Sequence, residues 1–420
     1  MSGRGKLQAP RGTADVLPVE GRRRHGLLAT AAKLLGAAGY APMETPVLEE
    51  TELFARGVGE ATDIVEKEMF TFEDQGGRSL TLRPEGTAGV CRAYVQHGMH
   101  KLPQPVKLWY QGPFFRYEAL QAGRQRQFAQ IGAEALGSDD PTLDAELILL
   151  LGELVERAGA RGVRLRLSSL GTAETRREYA EELRAHLRAN EGELSEDVRS
   201  RIDRNSLRAF DSDHEGTRRV MESAPRLLDR LAPEDAEHFA EVRALLDGAG
   251  CSYEIDPTLV RGLDYYTRTV FEFESDALGA QSALGGGGRY DALVEELGGS
   301  PTPAVGWAAG VERILLAAEP DAAAPSLDLY VALESARAAA QAFGLVRSAR
   351  AVGMSAGMEQ AGRSLKGQLK QADRLGASAV VIVGDDGLMV RDMGTGEQHE
   401  AADERGALDA VEELRSGERS

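Results

Sequence analysis

Apolar residues first recur at helical spacing between Leu17 and Gly39: Leu27, Leu28, Ala31, Leu34 and Leu35 share one face, and Gly39 supplies the stop. The following segment YAPMETPVLEE (40–50) reads as extended chain with edge character, because its two prolines cannot donate to a ladder. Between Arg56 and Asp74 the chain passes from glycine-rich to charged and ends in a short strand, MFTFED, the shape of a loop laid over a pocket. TLRPEGTAG (81–89) predicts a helix start with Pro84 at its first position, which would turn free N–H groups toward a ligand. Val106–Glu118 and Gln127–Leu136 predict two antiparallel strands joined by the polar loop ALQAGRQR. Pro141–Ala158 keeps the apolar face of a helix, and RGVRLRLSSLG (161–171) returns as a strand.

From Thr172 to about Gly250 the pattern changes to charged, helical sequence with few strand signals, read as an inserted helical subdomain of solvated helices. Val270, Phe271, Glu272, Phe273 and Glu274 then alternate as a half-buried strand. SALGGGGRYDALVEELGG (282–299) places four glycines ahead of a helix, without the spacing or the βαβ context of a dinucleotide fingerprint. PAVGWAAGVERILLA (303–317) predicts a buried strand, a glycine and a helix with Arg313 near its start. An Ala/Pro-rich linker occupies 319–326. Beyond it strands and helices alternate, as in an independent α/β domain. In its segment GRSLKGQLKQADRLG the basic residues Arg363, Lys366, Lys370 and Arg374 fall on one stripe of a helix, with Leu365, Leu369, Ala372 and Leu375 opposite.

Composition narrows the class. At 420 residues and 42% hydrophobic, the chain can bury more than one core, and two to three domains are expected. A net charge of −18 argues against non-specific coating of nucleic acid, yet leaves room for a single basic stripe. Two distant cysteines, Cys91 and Cys251, make neither a disulfide framework nor a Cys-x-x-Cys metal site. No apolar run has the length of a signal or a membrane span, so a soluble, cytoplasmic protein with no membrane segment is expected.

The candidate chemistry gathers around RGLDYY. Arg261, Asp264, Tyr265 and Tyr266 put a cation, an anion and two phenols where a strand begins, a set that suits a small zwitterion or, more plainly, a surface loop. Arg116 has the fork to clamp a carboxylate or an α-phosphate, or it is half of an ordinary surface pair with Glu118. Phe128 offers a flat face to a purine. Glu85 is an anion suited to an α-ammonium group, or only a favourable charge at a helix start.

RGLDYY followed by Thr267 and VFE resembles the signature of histidyl-tRNA synthetases, a class II aminoacyl-tRNA synthetase family; the 56–74 loop and TLRPEGTAG resemble it too. The resemblance implies an α+β class II catalytic domain, an antiparallel sheet flanked by helices, built from residues 1–170 and 251–320. It implies a helical insertion at 171–250 and a C-terminal α/β anticodon-binding domain at 327–420. The implied activity is ligation of L-histidine to its tRNA by way of a histidyl-adenylate, with ATP as substrate, Mg2+ beside it, and a homodimer formed through the 17–50 stretch. By the same resemblance Arg116 and Arg261 hold the reacting charge and the histidine carboxylate. Arg124 and Arg313 hold the outer phosphates, and Phe128 stacks adenine. Glu134 and Tyr266 read the imidazole; Glu85, Gly86, Thr87 and Gln130 surround the α-ammonium, with Tyr265 and Tyr290 in the wall. Gln121, Arg363, Lys366, Lys370 and Arg374 fall to tRNA.

One departure stands out. The family usually carries Arg-Pro-Gln after the motif 2 glutamate, where this chain has Ala119, Leu120 and Gln121. That loop normally meets the acceptor end and the extra 5′ guanosine of histidine tRNA, so the usual readout of that nucleotide is in doubt. The first competing reading is a non-catalytic, synthetase-like regulatory subunit of histidine biosynthesis. Such relatives tend to lose RGLDYY and the C-terminal domain, and both are present. A synthetase for threonine, proline or glycine is disfavoured by RGLDYY and GGGGRYD. HGMHK (97–101) is a poor match to a class I motif.

Overall fold

The computed structural model describes residues 7–416 except 60, 61, 63, 204, 205, 260, 261, 280, 281, 320–326 and 386, and leaves the side chains of 208 and 211 undescribed. The predicted 319–326 linker therefore lies almost wholly outside the described residues. The chain divides into two compact units, Met1–Glu319 and Pro320–Ser420.

The first unit begins with α1 (Pro18–Ala37), whose buried residues Leu27, Ala31, Leu34 and Leu35 are the periodic set seen in the sequence. Strands β1 (Ala41–Pro42) and β2 (Leu48–Glu50) follow, then α2 (Thr51–Val58), β3 (Phe70–Glu73), β4 (Ser79–Leu82) and α3 (Thr87–Gln96). The long hairpin β5 (Val106–Phe115) and β6 (Gln127–Leu136) pairs in full antiparallel register. Next come α4 (Pro141–Arg157), β7 (Val163–Ser169), four helices α5 (Ala173–Ala189), α6 (Glu196–Arg201), α7 (Glu215–Glu222) and α8 (Pro233–Gly248), and β8 (Glu254–Ile255). The unit closes with β9 (Thr267–Ser275), β10 (Ala283–Arg289), α9 (Leu293–Glu296), β11 (Ala304–Gly310) and α10 (Val311–Ala317).

Eight of these strands form one sheet, ordered β1-β5-β6-β11-β10-β9-β7-β8, antiparallel except at its two outer pairs. Strands β2, β4 and β3 make a small separate sheet. One face of the large sheet carries α1, α4, α8 and α10 over a core that includes Leu147, Leu151, Phe271 and Trp307. The other face carries α3 and α5 over Tyr110, Phe114, Tyr265, Tyr266, Val270 and Tyr290.

Three sequence expectations change. The four glycines do come ahead of a helix, the short α9, but they are no loop before it: Gly285–Gly288 lie inside β10, between β9 and β11. The reason is steric: a Cβ at Gly287 would strike the Gly306 carbonyl and the Trp307 backbone, and one at Gly288 the Thr269 carbonyl. Pro84 is not the first helical residue, since α3 begins at Thr87 with Gly86 as its N-cap. Nor is α5 merely solvated: Thr175, Tyr179, Leu183 and Leu187, spaced by fours, bury one stripe, three of them in the core shared with Tyr265 and Tyr290.

The second unit is a five-stranded sheet ordered β13-β12-β14-β15-β16, from β12 (Leu329–Leu333), β13 (Ala356–Met358), β14 (Ala379–Gly384), β15 (Gly387–Asp392) and β16 (Gln398–Ala401). Helices α11 (Ala339–Ala351), α12 (Leu365–Arg374) and α13 (Glu404–Ser416) cover it. Strands β13 and β16 are short and polar or glycine-containing, and the sequence pattern did not reveal them.

Candidate active site

A cavity of about 310 Å³ opens on the sheet face where β6, β10 and β11 run side by side. Its lining brings together Glu85, Thr87, Arg116, Arg124, Phe128, Gln130, Tyr265, Tyr266 and Arg313, drawn from sequence positions more than two hundred apart. The hairpin supplies Arg124, Phe128 and Gln130, with Arg116 just past β5; α3 supplies Thr87, and α10 supplies Arg313.

One end of the cavity is acidic and phenolic, lined by Glu85, Thr87, Tyr265 and Tyr266. Glu134 and Tyr290 are not part of the lining; Glu134 lies wholly buried behind Thr87 and accepts from the Thr87 hydroxyl at 2.7 Å, Tyr110 at 3.2 Å and Tyr290 at 2.5 Å. Burial pushes its pKa up to about 8, against which the three hydroxyl donors work only in part. Room for this carboxylate comes from Gly306, its register partner on β11, where a Cβ would overlap it. The rings of Tyr265 and Tyr266 sit 4.7 Å apart, and Tyr265 meets Tyr290 edge-on at 5.6 Å. Burial raises the Tyr110, Tyr265 and Tyr290 phenols, so they stay donors.

Glu85 takes up the helix-start role that was the second of its two sequence readings. Its carboxylate accepts from the backbone N–H groups of Thr87 (2.6 Å) and Ala88 (2.9 Å), so it occupies the helix start instead of leaving it for an anion. Burial raises its pKa, while those N–H groups and Arg116 favour the charged form. Gly86 is the cap residue itself, where a Cβ would strike the Tyr110 ring. Close by, Gln130 Oε1 is buried with no partner, an acceptor facing the demand of an N–H donor.

The other end is cationic. The Arg116 side chain is fixed by donating Nε–H to the Pro84 carbonyl at 2.8 Å, and its guanidinium lies 5.4 Å from the Phe128 ring centre. Glu118 sits between Arg116 (3.6 Å) and Arg124 (3.1 Å). Arg313 donates to the Ala283 carbonyl, and burial lowers its pKa, followed by the nearby charge of Arg124. Glu118, Glu272 and Glu312 also line the cavity, as do Gly285 and Gly286 of β10. Sequence reasoning assigned none of these five a role there; the glycine run and the Arg-x-Glu pair were the only signals.

Other predicted residues lie elsewhere. Arg261 falls outside the described residues. Gln121 is exposed on the hairpin loop, bridged to Arg124 through the main chain and apart from the cavity lining. In the second unit α12 starts after Arg363, whose guanidinium pairs with Glu359 at 3.2 Å. The helical stripe is therefore Lys366, Lys370 and Arg374, all exposed, with Leu365, Leu369, Ala372 and Leu375 packed behind it.

A mainly antiparallel sheet carrying a long hairpin, with a cluster of arginines over one end of its cavity, has the architecture of a class II aminoacyl-tRNA synthetase catalytic core. The family profile described as Histidyl-tRNA synthetase matches residues 12–314. Among curated relatives, the Histidine--tRNA ligase of Rubrobacter xylanophilus is 49% identical over 93% of this chain and 95% of its own. That of Halothermothrix orenii is 45% identical over 94% and 96%. The crystal structure of apo S. aureus histidyl-tRNA synthetase superposes with a TM-score of 0.79 at 36% identity, covering 98% of this chain and 100% of its own. The chain belongs to the histidyl-tRNA synthetase family.

Proposed function

We propose that the chain joins L-histidine to tRNA(His) in two steps. The observation that carries this is the polarity of one cavity: Glu85, Tyr265 and Tyr266 at one end, with the buried Glu134 bonded to Thr87 behind them, and three arginines at the other. A site that pairs both imidazole nitrogens rejects apolar look-alikes, because its own polar groups would be stranded. Glu134 and the tyrosines supply that pairing. Glu85 and Gln130 receive the α-ammonium, which fits an acceptor left unpartnered at Gln130 Oε1.

In the first step a histidine carboxylate oxygen attacks the α-phosphorus of ATP, and pyrophosphate leaves. Negative charge grows on the phosphoryl oxygens, so fixed cations are the main need. Arg116 meets that charge, together with Arg261 by family resemblance; Arg124 and Arg313 hold the outer phosphates, and Phe128 stacks on adenine. Mg2+ would neutralise phosphate charge as ATP binds. Carboxylate oxygens suit that ion, but Glu118 is already paired with Arg116 and Arg124, and among the described residues no three acidic, histidine or cysteine side chains gather to hold it, so no step is assigned to it. In the second step a 3′-terminal hydroxyl of tRNA attacks the adenylate carbonyl and AMP leaves.

The division into a catalytic domain (1–170 and 251–320), a helical insertion (171–250) and an anticodon-binding domain (327–420) is part of the same reading. So is a homodimer through the 17–50 stretch, supported by the exposed apolar residues Leu17, Val19 and Leu48, and a cytoplasmic site of action. No described helix is long and apolar enough to cross a membrane. The test is ATP–pyrophosphate exchange across the standard amino acids: histidine alone should stimulate it, and equal stimulation by threonine or proline would overturn the reading.

A further inference from the structure

Arg268 is the one described non-glycine residue with positive φ, at 43°. That conformation is unfavourable for an L-residue, so something must hold it. It sits at the start of β9, two residues after Tyr266. Here the ladder with β10 slips: Gly288 pairs with Val270, but Arg289 pairs with Thr267 instead of Thr269. Arg268 and Thr269 are thus left without partners in the ladder with β10, a bulge that re-aims the chain entering the strand, while Thr269 still pairs with Ser169 of β7. That chain is the tyrosine pair in the cavity wall.

What holds the bulge comes from the helices between β7 and β8. The Arg268 side chain donates Nε–H to Asp235 Oδ1 at 2.9 Å, and Asp235, in the first turn of α8, is fully buried. The other oxygen, Oδ2, accepts the Thr172 N–H at 2.9 Å, at the N-cap of α5. The Arg268 main chain bonds the same corner, donating to the Gly171 carbonyl at 2.8 Å and accepting from Leu170 at 2.7 Å. At the far side of the tyrosines, Arg176 of α5 donates to the Asp264 carbonyl at 3.1 Å. Residues 264–268 are therefore fastened at both ends to the start of α5 and α8.

We infer that Arg268, clamped by Asp235, is a positioning residue for the amino-acid end of the cavity, and that the helices between β7 and β8 serve histidine binding through it. Neither residue lines the cavity; they act through the orientation of Tyr265 and Tyr266. This rests on the proposed function, and wild-type exchange with histidine alone checks that reading separately.

The experiment uses the full-length enzyme in ATP–pyrophosphate exchange without tRNA, comparing Arg268→Ala, Arg268→Gly and Asp235→Asn. Arg268→Ala should raise the KM for histidine roughly tenfold with the KM for ATP unchanged, because only one end of the cavity loses its support. Arg268→Gly should recover most of that loss, since glycine adopts φ near +43° without the clamp. Asp235→Asn keeps one acceptor and turns the other into a donor. It should reproduce the histidine defect, and it carries the test if Arg268→Ala is insoluble. Unchanged histidine KM in the alanine and asparagine variants, an equal rise for ATP, or a glycine variant as impaired as alanine would each overturn the inference.

Discussion

The Tyr290 hydroxyl, one residue past the end of β10, donates to Glu134 Oε2 of β6 at 2.5 Å, though β10 and β6 are not neighbours in the sheet. The bond passes over β11, and it is possible because β11 has glycine at 306 between them.

That buried carboxylate should leave a mark on stability. Its folded pKa is about 8 against an ordinary value of 4.5, so between those values the folded chain holds one proton more than the unfolded chain. The contribution is fully present below pH 4.5 and is lost as pH rises through 8, at about 1.36 kcal/mol per unit. Without ligand, the thermal midpoint of the wild type should therefore fall relative to Glu134→Gln between pH 5 and pH 8. A constant gap between the two melting curves would mean that Glu134 ionises normally in the folded chain.

Arg116→Ala should lower the single-turnover rate of adenylate formation by ~10²–10³ while weakening ATP binding far less, as befits a group acting on developing charge. Rapid-quench measurement at saturating ATP and histidine reads this directly. A near-wild-type rate would remove Arg116 from the mechanism.

The hairpin loop predicts a change in tRNA choice. With Ala119 and Leu120 both exposed where the family resemblance leads one to expect Arg-Pro, tRNA lacking the extra 5′ guanosine should be penalised less by this enzyme than by its Ala119→Arg variant. Charging of the two transcripts by both proteins checks it. The same severe penalty in both would locate the reader elsewhere.

On α12 the exposed Lys366, Lys370 and Arg374 form a cationic line on a chain of net charge −18. Lys366→Glu with Lys370→Glu should raise the KM for tRNA and flatten its salt dependence by about one unit of slope per lost phosphate contact. Exchange without tRNA should not change. Equal KM and slope in the double variant would make the line an ordinary solvated face.

Much of this architecture was legible because it obeys simple periods. The five apolar positions of α1, the hairpin, β11 followed by α10, and the alternation of the second unit all follow from spacing alone. What escaped depended on distant partners. Nothing local distinguishes glycines that admit a neighbouring strand from glycines of a loop, so β10 was misread. Glu85 reads equally as a ligand group and as a helix-start charge, because the N–H groups it caps are invisible until α3 is seen to begin at Thr87. The buried stripe of α5 was hidden among charges, since one residue in four suffices to bury a helix face. Arg268 carried no signal: its importance lies in a backbone angle and in Asp235, far upstream in sequence.

The glycine strand has a consequence for inhibitor resistance. Gly285 presents bare peptide to the cavity, and a Cβ there would lie 2.5 Å from that of Ala309 on β11. A compound that rests on this backbone would touch atoms no point mutation can remove. The usual escape, a bulkier residue under the drug, would have to part the sheet that carries Phe128, Gln130 and Glu134 alike.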